Sequence, residues 1–122
     1  MPEKIVPMIH VPDVASTAQW YESIGFTIVS TFRECDDGEV NWAPLRFGES
    51  TIMLNAGGKS SDAPRREFDL YIHVDDIDAI RQRLDGEVEI VEDLHDTFYG
   101  MCEFIIRDCN RFWITFGQPS TK

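Results

Sequence analysis

Cysteine is scarce in this chain: Cys35, Cys102 and Cys109 are the three among 122 residues. An odd count with no metal-type spacing excludes a disulfide framework and a thiolate-held zinc. It fits plain thiols in a reducing cytoplasm, the expected location. Positive charge is also in short supply. Eleven Lys and Arg stand against 22 Asp and Glu, a formal net charge of −11. Nucleic acids and anionic membranes are bound through Lys/Arg patches, so neither is an expected partner. No apolar run approaches the roughly 20 residues of a membrane span. The start, Met1-Pro2-Glu3-Lys4, lacks the apolar stretch of a signal peptide. There is no Gly-rich phosphate loop and no Gly-x-Ser-x-Gly elbow. Cys35 lies among Glu34, Asp36 and Asp37, which disfavour a nucleophilic thiolate.

What the chain does have is a repeat. Met8-Ile9-His10-Val11-Pro12-Asp13-Val14 returns as Tyr71-Ile72-His73-Val74-Asp75-Asp76-Ile77, 63 residues later. A repeat this long, present twice, is no solenoid. It predicts two modules on one plan that join their sheets around a shared cavity.

Each copy opens with period-two alternation, the mark of a strand. Pro7 lacks a ladder donor, which predicts an edge position for the first strand, 5–11. Asp13 and Asp76 then stand as helix N-caps. Val14, Ala18 and Tyr21 follow at helical spacing in one copy; Ile77, Ile80 and Leu84 follow in the other. Gly25 and Gly86 stop the helices, because glycine tolerates positive φ. Strands are predicted at 26–32, 40–47, 51–55, 68–74, 88–92, 101–107 and 112–116. Residues 93–100 read as a loop, with His95 solvated, and 108–111 as a turn in which Asn110 takes the left-handed conformation. The expected fold class is α+β: one domain, 1–122, of two tandem βαβββ modules forming a cupped mixed sheet around a cavity. Module 1 is about 1–57, the linker 58–67 and module 2 about 68–118.

That order, with Val11-Pro12-Asp13 before a helix carrying Trp20-Tyr21 and ending at Ile24-Gly25-Phe26, resembles the vicinal oxygen chelate superfamily. The superfamily includes glyoxalase I, extradiol dioxygenases and bleomycin-resistance proteins. The stretch Phe98 to Phe104, then Arg107-Asp108, then Phe112 to Gln118, is similar to the closing hairpin of the bleomycin-resistance and glyoxalase-like branch. Relatives have Asp-Pro-x-Gly in that turn; this chain has Asp108-Cys109-Asn110-Arg111.

Enzymes of the superfamily hold a divalent metal with four side chains, one from each of four strands, usually two His and two Glu. The resemblance carries those positions onto Val6, Met53, Asp69 and Thr115. Asp69 alone is an ordinary ligand, and neither Zn²⁺ nor Mg²⁺ is satisfied by one carboxylate. No metal and no other cofactor is expected, and no catalytic residue is assigned. His10 and His73 lie four residues beyond the metal positions, about 13 Å along a strand. They read as strand-end residues bonded to nearby backbone, or as members of a displaced site.

With the metal positions filled this way, the cavity becomes a binding site. Met8 and Tyr71 share faces with the former metal positions. Trp113 shares its face with Thr115 and is expected to point inward. Trp42, Phe98 and Tyr99 are expected at the rim. Flat aromatics stack well on planar or cationic groups. The acidic run Glu34, Asp36, Asp37 and Glu39 suits a cation. The expected ligand-binding set is therefore Met8, His10, Trp42, Met53, Asp69, Tyr71, His73, Phe98, Tyr99, Trp113 and Thr115. The expected function is metal-free binding of a small molecule by sequestration, and the resemblance implies a homodimer. The alternative is a metal-dependent lyase or dioxygenase-like enzyme with a displaced metal site.

Overall fold

The computed structural model describes residues 3–120. These form nine strands and two helices, in the order β1 (Met8–His10), α1 (Val14–Ser23), β2 (Thr27–Ile28), β3 (Phe32–Arg33), β4 (Val40–Phe47), β5 (Ser50–Asn55), β6 (Asp69–His73), α2 (Ile77–Leu84), β7 (Glu89–Asp96), β8 (Met101–Arg107) and β9 (Trp113–Pro119). The fold is α+β, two βαβββ modules in tandem. The chain divides into two compact units, Met1–Ser60 and Ser61–Lys122, and each is built around its own sheet.

In the first unit the sheet order is β1-β5-β4-β2, with β3 also on β4. β1 runs parallel to β5, while β4 is antiparallel to β5, β2 and β3. Pro7 sits at the start of this terminal strand, where its carbonyl accepts from the Met53 amide at 2.9 Å. The expected strand 26–32 is broken into two short pieces, both antiparallel to β4. The Asp13 carboxylate caps α1 by accepting from the Ser16 amide at 3.0 Å. Gly25 ends the helix at φ 119°. Val14, Ala18 and Tyr21 bury one side of α1, and Ile9, Ala43, Leu45 and Leu54 form the buried face of the sheet.

The second unit has the same plan. Its order is β6-β9-β8-β7, with β6 parallel to β9 and the other pairs antiparallel. Asp76 caps α2 through the Ala79 amide at 3.1 Å. Ile77 and Leu84 of the helix are buried, as are Ile72, Phe104, Ile106, Ile114 and Phe116 of the sheet. Phe104 and Phe116 are cross-strand partners whose rings stack at 5.0 Å.

Two expectations are corrected here. β7 runs on to Asp96, so His95 belongs to a strand and is half-buried, and only Thr97 to Gly100 remain a turn. The register shifts along β7 let it follow β8 further than its weak alternation implied. In the closing turn, Arg111 and not Asn110 has positive φ, at 72°. The Asp108 carboxylate accepts from both the Asn110 and Phe112 amides, at 2.8 and 2.9 Å. That bracket holds Asn110 in place and moves the left-handed residue one step on. No described helix is long and apolar enough to cross a membrane.

Candidate functional site

A β-strand sends alternate side chains to opposite faces. In each unit one face carries the core residues named above. The other face can be read row by row from the strand register.

In the first unit one row is His10, Asn55, Trp42 and Phe32, on β1, β5, β4 and β3. The Phe32 and Trp42 rings stack at 4.4 Å with an interplanar angle of 29°. Phe32 is exposed and Trp42 half-buried. His10 Nδ1 donates to the Ala56 carbonyl at 3.2 Å, a strand-end bond to the backbone. Asn55 Oδ1 is buried and has no hydrogen-bond partner among the described residues. The next row is Met8, Met53 and Pro44; Met8 is exposed and Met53 half-buried.

In the second unit the matching row is His73, Gly117, Glu103 and His95. Glu103 is the buried polar residue of this row, and sequence reasoning did not single it out. It is only 4% exposed. Its carboxylate accepts from the Tyr71 hydroxyl at 2.6 Å and from the Tyr99 hydroxyl at 2.8 Å to each oxygen. Among the described residues no Lys, Arg or His pairs with it. Tyr71 and Tyr99 stay 42% and 56% exposed, so each keeps ring surface open while its hydroxyl is committed. Desolvation first, then the bond to Glu103, pushes the Tyr71 phenol well above its ordinary range. The bond to Glu103 also raises the Tyr99 phenol. Gly117 makes this geometry possible: a Cβ there would lie 2.7 Å from Tyr71 Cζ and closer still to the hydroxyl oxygen. The His73 ring sits 4.9 Å from that of Tyr71.

The remaining expected residues lie apart from this cluster. Trp113 shares its sheet face with Thr115, but its indole N–H donates to the Pro64 carbonyl at 3.1 Å, and the Arg65 guanidinium covers the ring at 4.2 Å. Arg65 also pairs with Asp69 at 2.7 Å. Trp113 and Asp69 are thus engaged by the segment before β6. Thr115 is buried. Phe98 is fully exposed, its ring edge-on to Tyr99 at 5.1 Å.

The residues at the family's metal positions do not fit a metal. In the first unit they are Val6 and Met53; in the second, Thr115 and Asp69, whose carboxylate already holds Arg65. Among the described residues no group of three or more His, Cys, Asp or Glu side chains is placed to hold a metal ion.

Each βαβββ unit has a helix on one sheet face and aromatic side chains on the other, an α+β plan used twice. Residues 5–116 match the Glyoxalase/Bleomycin resistance protein/Dioxygenase superfamily, and the chain belongs to that superfamily. No curated protein matches the sequence. Solved structures share its fold. TioX from Micromonospora sp. ML1 is 18% identical with a TM-score of 0.76, over 97% of this chain and 99% of that one. A bleomycin-binding protein complexed with bleomycin is 19% identical with a TM-score of 0.74, over 98% and 100%. A glyoxalase-related enzyme from Clostridium phytofermentans is 15% identical with a TM-score of 0.75, over 98% and 96%.

Proposed function

We propose that this chain is a metal-free binding protein that sequesters a small molecule, with a cationic aromatic compound as the favoured class. The observation that carries this reading is a set of large aromatic side chains away from the core: exposed Phe32 stacked on half-buried Trp42 in the first sheet, exposed Tyr71 on β6, and exposed Tyr99 in the turn before β8. A solvated sheet face is ordinarily polar, and flat rings held open on a scaffold bind planar ligands at small entropic cost. Asn55 Oδ1 supports the reading. A buried, unbonded acceptor costs about 1–3 kcal/mol, a cost that a ligand N–H would relieve. The excess of acidic residues favours a cation. The family positions Val6, Met53 and Thr115 supply no usual metal ligand, which favours binding over chelate chemistry. The bleomycin-binding relative makes glycopeptides the first compounds to try. Assembly as a homodimer and residence in the cytoplasm complete the proposal.

The test is tryptophan fluorescence and thermal shift of the purified chain against bleomycin and a panel of cationic aromatics. Saturable quenching with a raised Tm is the expected outcome. No response to any compound overturns the proposal.

A further inference from the structure

A carboxylate that is almost fully buried normally has a cation beside it, because desolvating a charge costs several kcal/mol unless it is paired and hydrogen-bonded. Glu103 has hydrogen bonds but no cationic partner among the described residues. Its three acceptor contacts come from two neutral phenols. A phenol that donates to a carboxylate keeps its oxygen lone pairs, and its ring becomes richer in electrons. Tyr71 and Tyr99 therefore pass the negative charge of a buried group out to two open aromatic faces. The backbone is adapted to this arrangement. Gly117, directly opposite Glu103 in the β8–β9 register, lacks the Cβ that would push the Tyr71 ring away. The Tyr99 turn is closed by the Thr97 hydroxyl, which accepts from the Met101 amide at 3.0 Å.

Resting on the reading of this chain as a small-molecule binder, we propose that Glu103, Tyr71 and Tyr99 form the subsite that takes the cationic group of the ligand, an amidinium, guanidinium or ammonium. The cation lies against the two rings, where the aromatic quadrupole attracts it, and its N–H groups meet the phenol oxygens and the edge of the carboxylate. A charge-assisted hydrogen bond to a carboxylate is about twice as strong as a neutral one, and the site's lack of an internal cation leaves that interaction available. Module 1 has no equivalent: Trp42 occupies the position of Glu103, so the cationic end of the ligand is fixed in the second unit.

The experiment uses the full chain labelled with ¹³C on its tyrosine rings. There are three tyrosines, and Tyr21, buried in the first unit, serves as the internal reference. The probes are benzamidine, its neutral isostere benzamide and the anion benzoate. Benzamidine is expected to move the Tyr71 and Tyr99 ring signals in a saturable way, with Tyr21 unmoved and the two other compounds silent. Glu103→Gln, which keeps both hydrogen-bonded tyrosines in place, is expected to weaken benzamidine binding about tenfold, the equivalent of about 1.4 kcal/mol. Silent Tyr71 and Tyr99 signals, or equal shifts with benzamide, overturn the subsite, as does unchanged affinity in a folded Glu103→Gln. If the variant does not fold, the labelled wild-type chain still decides. A wild-type chain that binds a larger panel compound while benzamidine leaves both tyrosines unmoved loses the subsite and keeps the binding function. A chain that responds to neither set loses both.

Discussion

The two modules follow one strand plan and carry different chemistry on one row of the sheet. His10, Asn55, Trp42 and Phe32 in the first unit correspond to His73, Gly117, Glu103 and His95 in the second. The first row is an aromatic stack on a half-buried amide. The second is a buried carboxylate clasped by tyrosines. The helix-side faces are both wholly apolar, Ile9, Ala43, Leu45 and Leu54 in the first sheet and Ile72, Phe104, Ile106, Ile114 and Phe116 in the second. The comparison teaches that the hydrophobic face determines the module and leaves the open face free to diverge. One plan used twice yields a stacking platform and a charged clasp.

The largest effects expected from breaking that comparison fall on the shared core. Tyr21→Ala in the first unit and Phe104→Ala in the second should each cost about 3–5 kcal/mol, the range for deleting a buried aromatic. Chemical denaturation measures both, and matched losses would show that the two cores are equivalent. Next comes Gly117→Ala. Its added methyl meets Tyr71, so a loss of about 1–3 kcal/mol is expected from overpacking, together with a lowered Tyr71 pKa as the Glu103 bond breaks. Asn55, at the matching place in the first unit, already carries a side chain, so Asn55→Ala is expected to cost less than Gly117→Ala because it removes an unbonded acceptor. Capping is predicted to be symmetrical: Asp13→Ala and Asp76→Ala should each cost about 1 kcal/mol, read from the same denaturation curves.

The smallest effects concern pH. Arg81 bonds the Asp93 carboxylate and holds its pKa at about 2. A depressed acid contributes stability above its unfolded pKa of about 3.9. That contribution fades as pH falls from there toward 2. Arg81→Ala should therefore move the acid end of the stability profile upward. Tyr71 and Tyr99 work in the other direction. Their folded pKa values are raised above 10.0, so the native state holds protons that the unfolded chain releases. Their contribution is complete below pH 10 and declines above it. Absorbance titration should show late ionisation of these two phenols, and Glu103→Gln should bring it earlier.

Much of the fold was legible because it is local. Asp13 and Asp76 cap their helices through amides three residues on, and alternation places Ile9 and Ile72 inward. The strand faces shared by Tyr71 with Asp69 and by Trp113 with Thr115 also follow from period two. The clasp was not legible. Glu103 stands in a strand between Cys102 and Phe104, where a lone glutamate reads as a solvated residue. Its partners come from β6, 32 residues earlier, and from the preceding turn. The 63-residue repeat offered no signal, because it sets Trp42 against Ile105; strand register alone brings Glu103 to the place of Trp42. Trp113 was placed on its face correctly, but its cover by Arg65 and Pro64 depends on the path of an aperiodic segment, which no periodicity describes. His95 was assigned to a loop because β7 is bulged, and a bulge erases the alternation that reveals a strand.

β7 lies at one end of its sheet, and a terminal strand of eight residues is an open template for another chain. Here it carries Glu89, Glu92, Asp93, His95 and Asp96, and its register slips along the way. The same irregularity that hid the strand from a reading of alternation keeps it from zipping onto a neighbour. Charged residues along the strand add to that protection, because an edge lined with them is a poor partner for an apolar strand.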